Sequence, residues 1–501
     1  MPSRLEFQLD MGRSGAQPPT RRAGGGGMRL LLLGDFGGDA ASRPALKDRR
    51  VHRVDVDLLD TVLQRVAPSI ELRVGAASCH FTPQAMDDFH PDRLLELLPP
   101  LAHALDRLQR LQASATFAQA AAEMSLPTAV ARPAAPPAAT PAAAAAPSPS
   151  DDLLGQLLGG RVKPAAPSHP AAGLVPAAAP AQGIDAFVRS LVAQDAVAPA
   201  PASQAVYVAA ASAELGDLLR AVLHAPAFQA LESAWRGVHF LVSRLDLDAS
   251  LQVHLLDAPK ADLVADIVAA GGRVENTGLC EAALHRWCAP ATGERCAALI
   301  ALHEFGASDA DIGLLAALGM LATRMGAPVI AGGDLALAET QAAAGWQALR
   351  RSEVAPWVAL VAPRLLLRLP YGKGYEATER LAFEELPAHS GHAGQAGFVW
   401  GCGALAAAWS LGRAFAADGW QGDVAQEREL DDLPAYTHVL ADGERELQAC
   451  AEVFLSEQVL DGLLSSGLMP LASHRHRNAA TLLRWQSVAL PPQALRGLPG
   501  A

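Results

Sequence analysis

The stretch MRLLLLGDFGG, residues 28–38, has the pattern of a buried β-strand followed by a tight turn. Its apolar run extends from Met28 to Leu33 and stops at Gly34 and at the pair Gly37-Gly38. A short apolar run bounded by glycines is typical of a strand covered by other elements. The fold class depends on the elements that surround this strand.

Helix and strand patterns alternate after it. Apolar residues recur at helical spacing from Val54 to Val66, and Pro68 ends that amphipathic helix. Residues 69–81 are strand-like, and leucines restore the helical period over residues 92–111. No internal repeat is found.

A second folded region is predicted from Gln204 nearly to the end of the chain. Its predicted helices are Ser212–Val222, Pro226–Arg244 and Asp309–Met325, and its predicted strands are Leu251–Leu256 and Pro328–Ala331. Alternating elements of this kind predict an α/β (α+β mixed) fold with a mixed sheet.

Composition divides the chain. Residues 126–203 are rich in Ala and Pro, which favours an extended linker, interrupted by two short amphipathic helices at 151–159 and 183–198. The predicted organisation is a disordered tail (1–27), a first domain (28–125), the linker (126–203) and a second domain (204–495).

The net charge and the cysteine usage narrow the range of possible functions. The 501 residues include 40 Lys+Arg and 52 Asp+Glu, a formal net charge of -12, which argues against a general nucleic-acid binder. No long apolar run predicts membrane insertion, and the N-terminus is a poor secretory signal. Six scattered cysteines without a CxxC pair favour a reducing, cytoplasmic compartment.

Features that resemble catalytic or ligand sites are weak. The turn Gly34–Gly38 could cradle a phosphate, but it matches neither of the glycine spacings of nucleotide-binding loops, GxxxxGK(S/T) and GxGxxG. Ser233 and His239 have no nucleophile elbow, and the pair His474 and His476 is better explained by a polar turn. The sequence therefore predicts no catalytic residue, no metal site and no cofactor.

Two arginine-containing motifs are distinctive. Glu232 and Arg236 are spaced to pair on one helix, on which Trp235 belongs to the apolar face. Strand alternation over residues 364–372 predicts that Arg364 and Arg368 point outward. An intermolecular interface and pairing with carboxylates of the same chain both remain open for these two arginines.

Residues 28–112 resemble the small (TssB-like) sheath subunit of the bacterial type VI secretion system. The motifs that carry this resemblance are Gly34-Asp35-Phe36, Arg43-Pro44-Ala45-Leu46-Lys47-Asp48-Arg49, Ala67-Pro68 and Asp87-Asp88-Phe89-His90-Pro91-Asp92.

Residues 183–490 resemble the large (TssC-like) sheath subunit of the same machine. The motifs that carry this resemblance are Leu223–Gln229, Leu231–Gly237, Trp346, Leu349–Ser352, Pro363–Gly372, Phe383-Glu384-Glu385, Trp400-Gly401 and Gly467–Leu471. Finding the two partners of one heteromer in order in a single chain strengthens both resemblances.

The resemblance implies a non-enzymatic, cytoplasmic structural protein that stacks into a contractile tube and drives effectors into a target cell. The implied partners are other sheath protomers, the inner-tube protein, the baseplate and an AAA+ unfoldase. The motif and interface candidates are Asp35, Phe36, Arg49, Phe89, Glu232, Trp235, Arg236, Arg364, Arg368, Pro370 and Tyr371.

In this family the recycling unfoldase recognises a short helix near the start of the large subunit. The candidate here is 151–159, in which Leu153, Leu154, Leu157 and Leu158 share one face. The same helix could instead dock on its own domain.

The sequence departs from the pattern expected of the family at two places. Neither the helix and strand expected after Gln112 nor a terminal segment after Leu490 is found, and the family exchanges strands between protomers through these regions. An alternative is therefore a sheath-derived accessory protein that binds the baseplate or the unfoldase without forming a tube.

Overall fold

A computed structural model describes residues 26–39, 43–124, 202–288, 295–339, 343–386, 397–439 and 443–498. The predicted helices at 151–159 and 183–198 lie outside the described residues. The chain divides into a large unit, formed by residues 1–108 and 210–501, and a small unit, residues 109–209.

A nine-stranded sheet organises the large unit, in the order β11-β15-β14-β8-β7-β6-β1-β5-β2. The strands of this sheet are β1 (Met28–Gly34), β2 (His52–Val54), β5 (Leu251–Asp257), β6 (Arg295–Phe305), β7 (Val329–Gly333), β8 (Val358–Ala362), β11 (Glu429–Leu430), β14 (Met469–Ser473) and β15 (Ala480–Leu482). The central six strands are parallel, and antiparallel strands flank them at both ends.

The smaller pairings are three two-stranded sheets among the described residues. They pair β3 (Ile70–Val74) with β4 (Ala77–Phe81), β9 (Leu365–Arg368) with β10 (Val399–Gly401), and β12 (Thr437–Val439) with β13 (Arg445–Leu447).

The described residues also form eleven α-helices. The α-helices are α1 (Leu59–Val66), α2 (Pro91–Leu97), α3 (Pro99–Gln112), α4 (Phe117–Glu123), α5 (Ala202–Leu223), α6 (Pro226–Val242), α7 (Lys260–Ala269), α8 (Asp309–Met325), α9 (Ala344–Arg350), α10 (Ala404–Asp418) and α11 (Glu457–Ser465). A wide π-helix covers Cys280–Trp287.

Strand β1 is fully buried and lies between β5 and β6. Leu31 and Leu33 belong to an apolar cluster with residues of α7 and α8. Leu30 and Leu32 point to the opposite face by strand alternation, and they are also 0% exposed. Both faces of the strand are therefore covered, which explains its unbroken apolar run.

The fold class predicted from the sequence, α/β with a mixed sheet, is confirmed. The sheet also joins residues 28–34 to strands that lie beyond residue 250, so the two folded regions share one set of backbone hydrogen bonds. The boundaries at residues 125 and 204 stay predictions.

Several predicted elements differ in their bounds. Residues 52–54 form a strand paired with β5, and helix α1 begins only at Leu59. The predicted helix over residues 92–111 is broken at Leu98, because Pro99 cannot continue the hydrogen-bond ladder of the preceding turn. The strand-like residues 69–81 form a hairpin that turns at Gly75, which has a positive φ of 61°.

The expectation that no helix follows Gln112 is wrong. Helix α4 begins at Phe117 in the small unit, where the Phe117 ring lies 5.8 Å from the ring of Tyr207. The Gln204 side chain also donates a hydrogen bond to the Leu111 carbonyl oxygen. The alanine-rich composition of α4 hid it, since its apolar face is small.

In the part of the chain that the structure describes, no helix has the length and apolarity that a membrane span requires.

The central position of β1 makes the two parts of the sheet depend on each other. We expect residues 126–501 expressed alone to aggregate, because the edges of β5 and β6 would then offer unpaired backbone groups to other chains. Co-expressed residues 1–125 should restore solubility and co-purify, as measured by affinity capture and size-exclusion chromatography.

A matched control inserts a protease site into residues 126–201 of the full chain. The cleaved protein should remain one particle in gel filtration. A soluble, monodisperse 126–501 fragment obtained without its partner would contradict the dependence on β1.

Candidate functional site

Most of the motif residues identified in the sequence lie where residues 28–108 meet residues 210–498 within the large unit. We call this region the junction. It contains Asp35, Phe36, Arg49, Phe89, Glu232, Trp235, Arg236, Arg368, Pro370 and Tyr371, with the carboxylates Asp257 and Glu385.

Phe36 and Trp235 form the apolar centre of the junction. Both side chains are fully buried, and their rings meet edge to face with centroids 5.6 Å apart. The Trp235 indole nitrogen donates a hydrogen bond of 3.0 Å to the Phe36 carbonyl oxygen. The turn after β1 is thereby fixed to helix α6 by both packing and a buried hydrogen bond.

Asp257, the last residue of β5, binds the same turn from the other side. Its carboxylate accepts hydrogen bonds from the backbone amides of Phe36 (2.8 Å) and Gly37 (3.0 Å). Its Oδ2 lies 3.4 Å from Nε of Arg43, which also pairs with Asp35. These two amides are therefore occupied by a carboxylate of the chain, which explains why the glycine-rich turn does not need a phosphate.

Arg49 links the segment after this turn to the region that follows β5. Its guanidinium donates to the Asp257 carbonyl oxygen at 2.9 Å and pairs with the Asp262 carboxylate. The side chain is only 8% exposed. Because little water reaches the guanidinium, its charge depends on these charge-assisted hydrogen bonds and on their geometry.

Phe89 lies in an aromatic triad with Phe81 and Phe228. The three ring centroids are 5.4 to 5.7 Å apart. Phe228 is on helix α6, so this triad attaches the β3–β4 hairpin to the same helix that carries Trp235.

The buried charge cluster is formed by Glu232, Arg236, Arg368 and Glu385. Arg368 lies between the two glutamates, with Nε 2.7 Å from Glu232 Oε1 and Nη1 2.7 Å from Glu385 Oε2. Arg236 Nε contacts Glu232 Oε1 at 2.7 Å. Two arginines thus balance two carboxylates, and both carboxylates are 0% exposed.

The pKa shifts show how these charges are held. Burial lowers the pKa of Arg368, but the carboxylates of Glu232 and Glu385 outweigh it and leave that pKa well above its ordinary value. Burial raises the pKa of Glu385, but Arg368 and other hydrogen-bond donors outweigh it and leave that pKa below its ordinary value. Arg368 and Glu385 are therefore held in their ionised forms.

Tyr371 closes the cluster. Its ring lies under the Arg368 guanidinium, 4.4 Å from the ring centroid, and meets the His90 ring edge to face at 5.0 Å. Its hydroxyl accepts a hydrogen bond from Arg236, and its amide donates one to Glu385. Burial, the largest cause, raises the pKa of the Tyr371 hydroxyl. Pro370, just before it, is also buried.

The prediction that Arg368 points outward is wrong. The side chain is 4% exposed, because β9 pairs with the short strand β10 and is also covered by α6. Arg364 is 40% exposed and pairs with Glu452. Both arginines pair with carboxylates of the same chain, which is one of the two explanations that the sequence left open. The spacing prediction for Glu232 and Arg236 is confirmed.

Sequence reasoning missed two residues of the junction. Glu385 belongs to the motif Phe383-Glu384-Glu385, but nothing in the sequence distinguishes the buried glutamate from its exposed neighbour. Asp257 is the last residue of β5 and belongs to no motif. A carboxylate directly after an apolar strand is a signal for it, since strand ends meet at one edge of a parallel sheet.

The residues that weakly resembled catalytic or metal sites in the sequence do not form such a site in the part of the chain that the structure describes. The Ser233 hydroxyl donates to the Trp400 carbonyl oxygen, and residues 474–477 lie in the turn between β14 and β15. No cluster of three metal-ligating side chains occurs among the residues that the structure describes. All six cysteines carry free thiols. The candidate unfoldase-binding leucines, Leu153, Leu154, Leu157 and Leu158, lie outside the described residues.

Arg368→Met tests the charge cluster. We expect this substitution to lower the free energy of unfolding by about 3–5 kcal/mol, because it leaves two buried carboxylates without their shared cation. Arg364→Met on the neighbouring, half-exposed pair should cost only about 0–1 kcal/mol. Chemical denaturation of both variants measures the difference, and equal losses would contradict the assignment.

Comparison with known proteins matches both parts of the chain. The family model "EvpB/VC_A0108, tail sheath N-terminal domain" matches residues 206–342 and 334–489, which together span more than half of the chain. The model "Type VI secretion system, VipA, VC_A0107 or Hcp2" matches residues 27–125.

A curated relative supports the tail-sheath match. The chain is 28% identical over 326 residues to the type VI secretion system sheath protein TssC1 of Pseudomonas aeruginosa. The alignment covers 61% of this chain and 64% of that protein's length, a little less than two thirds. The junction thus lies between a VipA-type segment and a tail-sheath segment, and the chain belongs to the sheath protein family of the type VI secretion system as a fusion of its two subunit types.

Proposed function

We propose that this chain is a structural protomer of a type VI contractile sheath, in which one polypeptide supplies what two sheath subunits supply elsewhere. It would assemble with copies of itself around an inner tube and contract to drive effector delivery. The role is mechanical and requires no catalytic residue or cofactor.

The observation that carries the proposal is the position of β1. The strand from the VipA-type segment lies between β5 and β6 of the tail-sheath segment, with parallel pairing on both sides. A chain that only borrowed a sheath domain as an adaptor would not need this complete, internally paired core. The family matches also favour the sheath protomer over the accessory alternative.

The junction supports a mechanical role. Phe36 and Trp235 attach the two segments by packing and by a buried hydrogen bond, and the pairs Arg49–Asp262 and Arg43–Asp257 add charge contacts between them. A protomer that keeps its interior rigid can place the energy of contraction in contacts between protomers, where alternative packings differ by a few kcal/mol.

The finer assignments follow from the family and belong to the proposal. They are a cytoplasmic location and three partners: the inner-tube protein, the baseplate and an AAA+ recycling unfoldase. We also propose residues 151–159 as the unfoldase-binding segment, with Leu153, Leu154, Leu157 and Leu158 filling a groove of the partner.

Assembly tests the sheath proposal. We expect purified full-length chain to form rings or tubes in negative-stain electron microscopy, alone or with the inner-tube protein, and a matching high mass in light scattering. Particles that stay monomeric in every mixture, including one with the baseplate proteins, would instead support the accessory role.

A double substitution tests the unfoldase segment. Leu154→Asp with Leu157→Asp should abolish binding to the unfoldase in a pull-down, because charges cannot enter an apolar groove. The matched control is Val188→Asp, in the other predicted helix, which should bind as the parent chain does. Unchanged binding of the double variant would exclude this segment.

A further inference from the structure

A cavity of about 680 Å³ opens at the carboxyl ends of the central strands in the large unit. Asp35 follows β1, Lys260 begins the helix after β5, and Glu304 lies near the end of β6; all three line it. The chain continues from β1 to β5 on one side and then to β6 on the other. Such a switch point is where open α/β sheets bind ligands.

Glu304 is directed into this cavity by an irregularity of β6. Ala301 pairs with Ala331 but Glu304 pairs with Gly332, so extra residues bulge out of the ladder between them. A bulge of this kind turns a side chain away from its regular direction. Gly332 makes room for the result, because a Cβ there would lie 2.5 Å from Glu304 Oε1.

The other charges of the cavity are balanced within the chain. Arg364 pairs with Glu452, Lys260 with Asp311 at 2.5 Å, and Asp35 with Arg43 at 2.6 Å. Within the described part of the chain, the Glu304 carboxyl has no ion-pair partner and only the Cys402 thiol as a hydrogen-bond neighbour. Among the described residues, Glu304 is therefore the acidic group of the cavity wall without an ion pair of its own, although Arg364 lies near enough to favour its charged form.

Part of the cavity wall is apolar. Leu302, Phe398, Trp400 and Leu405 line the cavity together with small side chains of helix α6. Aromatic rings in a cavity that also holds a carboxylate favour an organic cation over a hydrated metal ion, because the rings attract positive charge and cover methylene groups.

We propose that this cavity binds a small organic cation, a primary amine that carries an apolar body. Its ammonium group pairs with the Glu304 carboxylate, and its apolar body lies against Phe398 and Trp400. The cavity adjoins the junction and shares Asp35 with it, but the proposal does not depend on the proposed sheath function.

Desolvation of the carboxyl group is the largest cause that raises the pKa of Glu304 to about 7, although the residue as a whole keeps an exposed surface. The groups that face it are Arg364, Glu452, Asp334, Cys402, Lys260, Asp35 and His303. Burial lowers the pKa of His303 to about 4 and raises the pKa of Cys402 well above its ordinary value. Neither of these two groups therefore titrates between pH 6 and pH 8, whereas Glu304 does.

The test uses hexylamine as the probe, with 1-hexanol and hexanoate as the uncharged and anionic analogues. Isothermal titration of the full-length chain at pH 8 should show one-site binding of hexylamine and at least about tenfold weaker binding of both analogues. Affinity for hexylamine should fall about tenfold from pH 8 to pH 6 as Glu304 takes up its proton, since the amine stays charged throughout.

Two variants locate the site. Glu304→Gln should weaken hexylamine binding at least about tenfold and remove its pH dependence. Ala230→Leu should obstruct the cavity from exposed helix surface and also reduce binding. Glu353→Gln, an exposed carboxylate elsewhere, is the matched control and should bind as the parent chain does.

Stability gives a second readout. A carboxyl with a raised pKa disfavours the folded state once it is ionised, so Glu304→Gln should be at least as stable as the parent chain at pH 8. Absence of hexylamine binding, equal binding of hexylamine and hexanol, or unchanged binding by Glu304→Gln would each overturn the proposal.

Discussion

The backbone pairing of β1 is the constraint on which the rest of this structure depends. A strand inside a parallel sheet must satisfy its amide and carbonyl groups on both edges, and β1 does so with β5 and β6. Hydrogen bonds to Asp257, at the end of β5, and from Trp235 then hold the turn that follows β1. The junction, and also the cavity beside it, are arranged around the end of this one strand.

The buried charges contribute differently from the apolar contacts. A buried ion pair gains little over apolar packing of the same volume, since both charges must first leave water. Its effect is on geometry: Arg368 accepts only positions of Glu232 and Glu385 that present oxygens to its fork. The cluster therefore defines how helix α6, strand β9 and the segment before Glu385 meet, more than it strengthens their contact.

The helices and strands could be predicted from local sequence patterns, but the pairing between strands that are distant in the chain could not. The run at residues 28–34 and the helix Asp309–Met325 follow from apolar spacing and glycine stops. Alternation failed for Arg368, because a strand covered on both sides has no outward face. Glu304 was not found for a similar reason: its direction comes from a bulge relative to β7, and no property of its own sequence neighbourhood encodes that register.

The place of β1 also has a consequence for biosynthesis. Met28 leaves the ribosome early, but its pairing partners Leu251 and Arg295 are made much later. Until β6 has been translated through Phe305, the strand has no completed site in the sheet, and its apolar surface has to be shielded in another way. Joining both segments in one chain ensures that every such strand is followed by the partner that it needs, in equal number and in the same place.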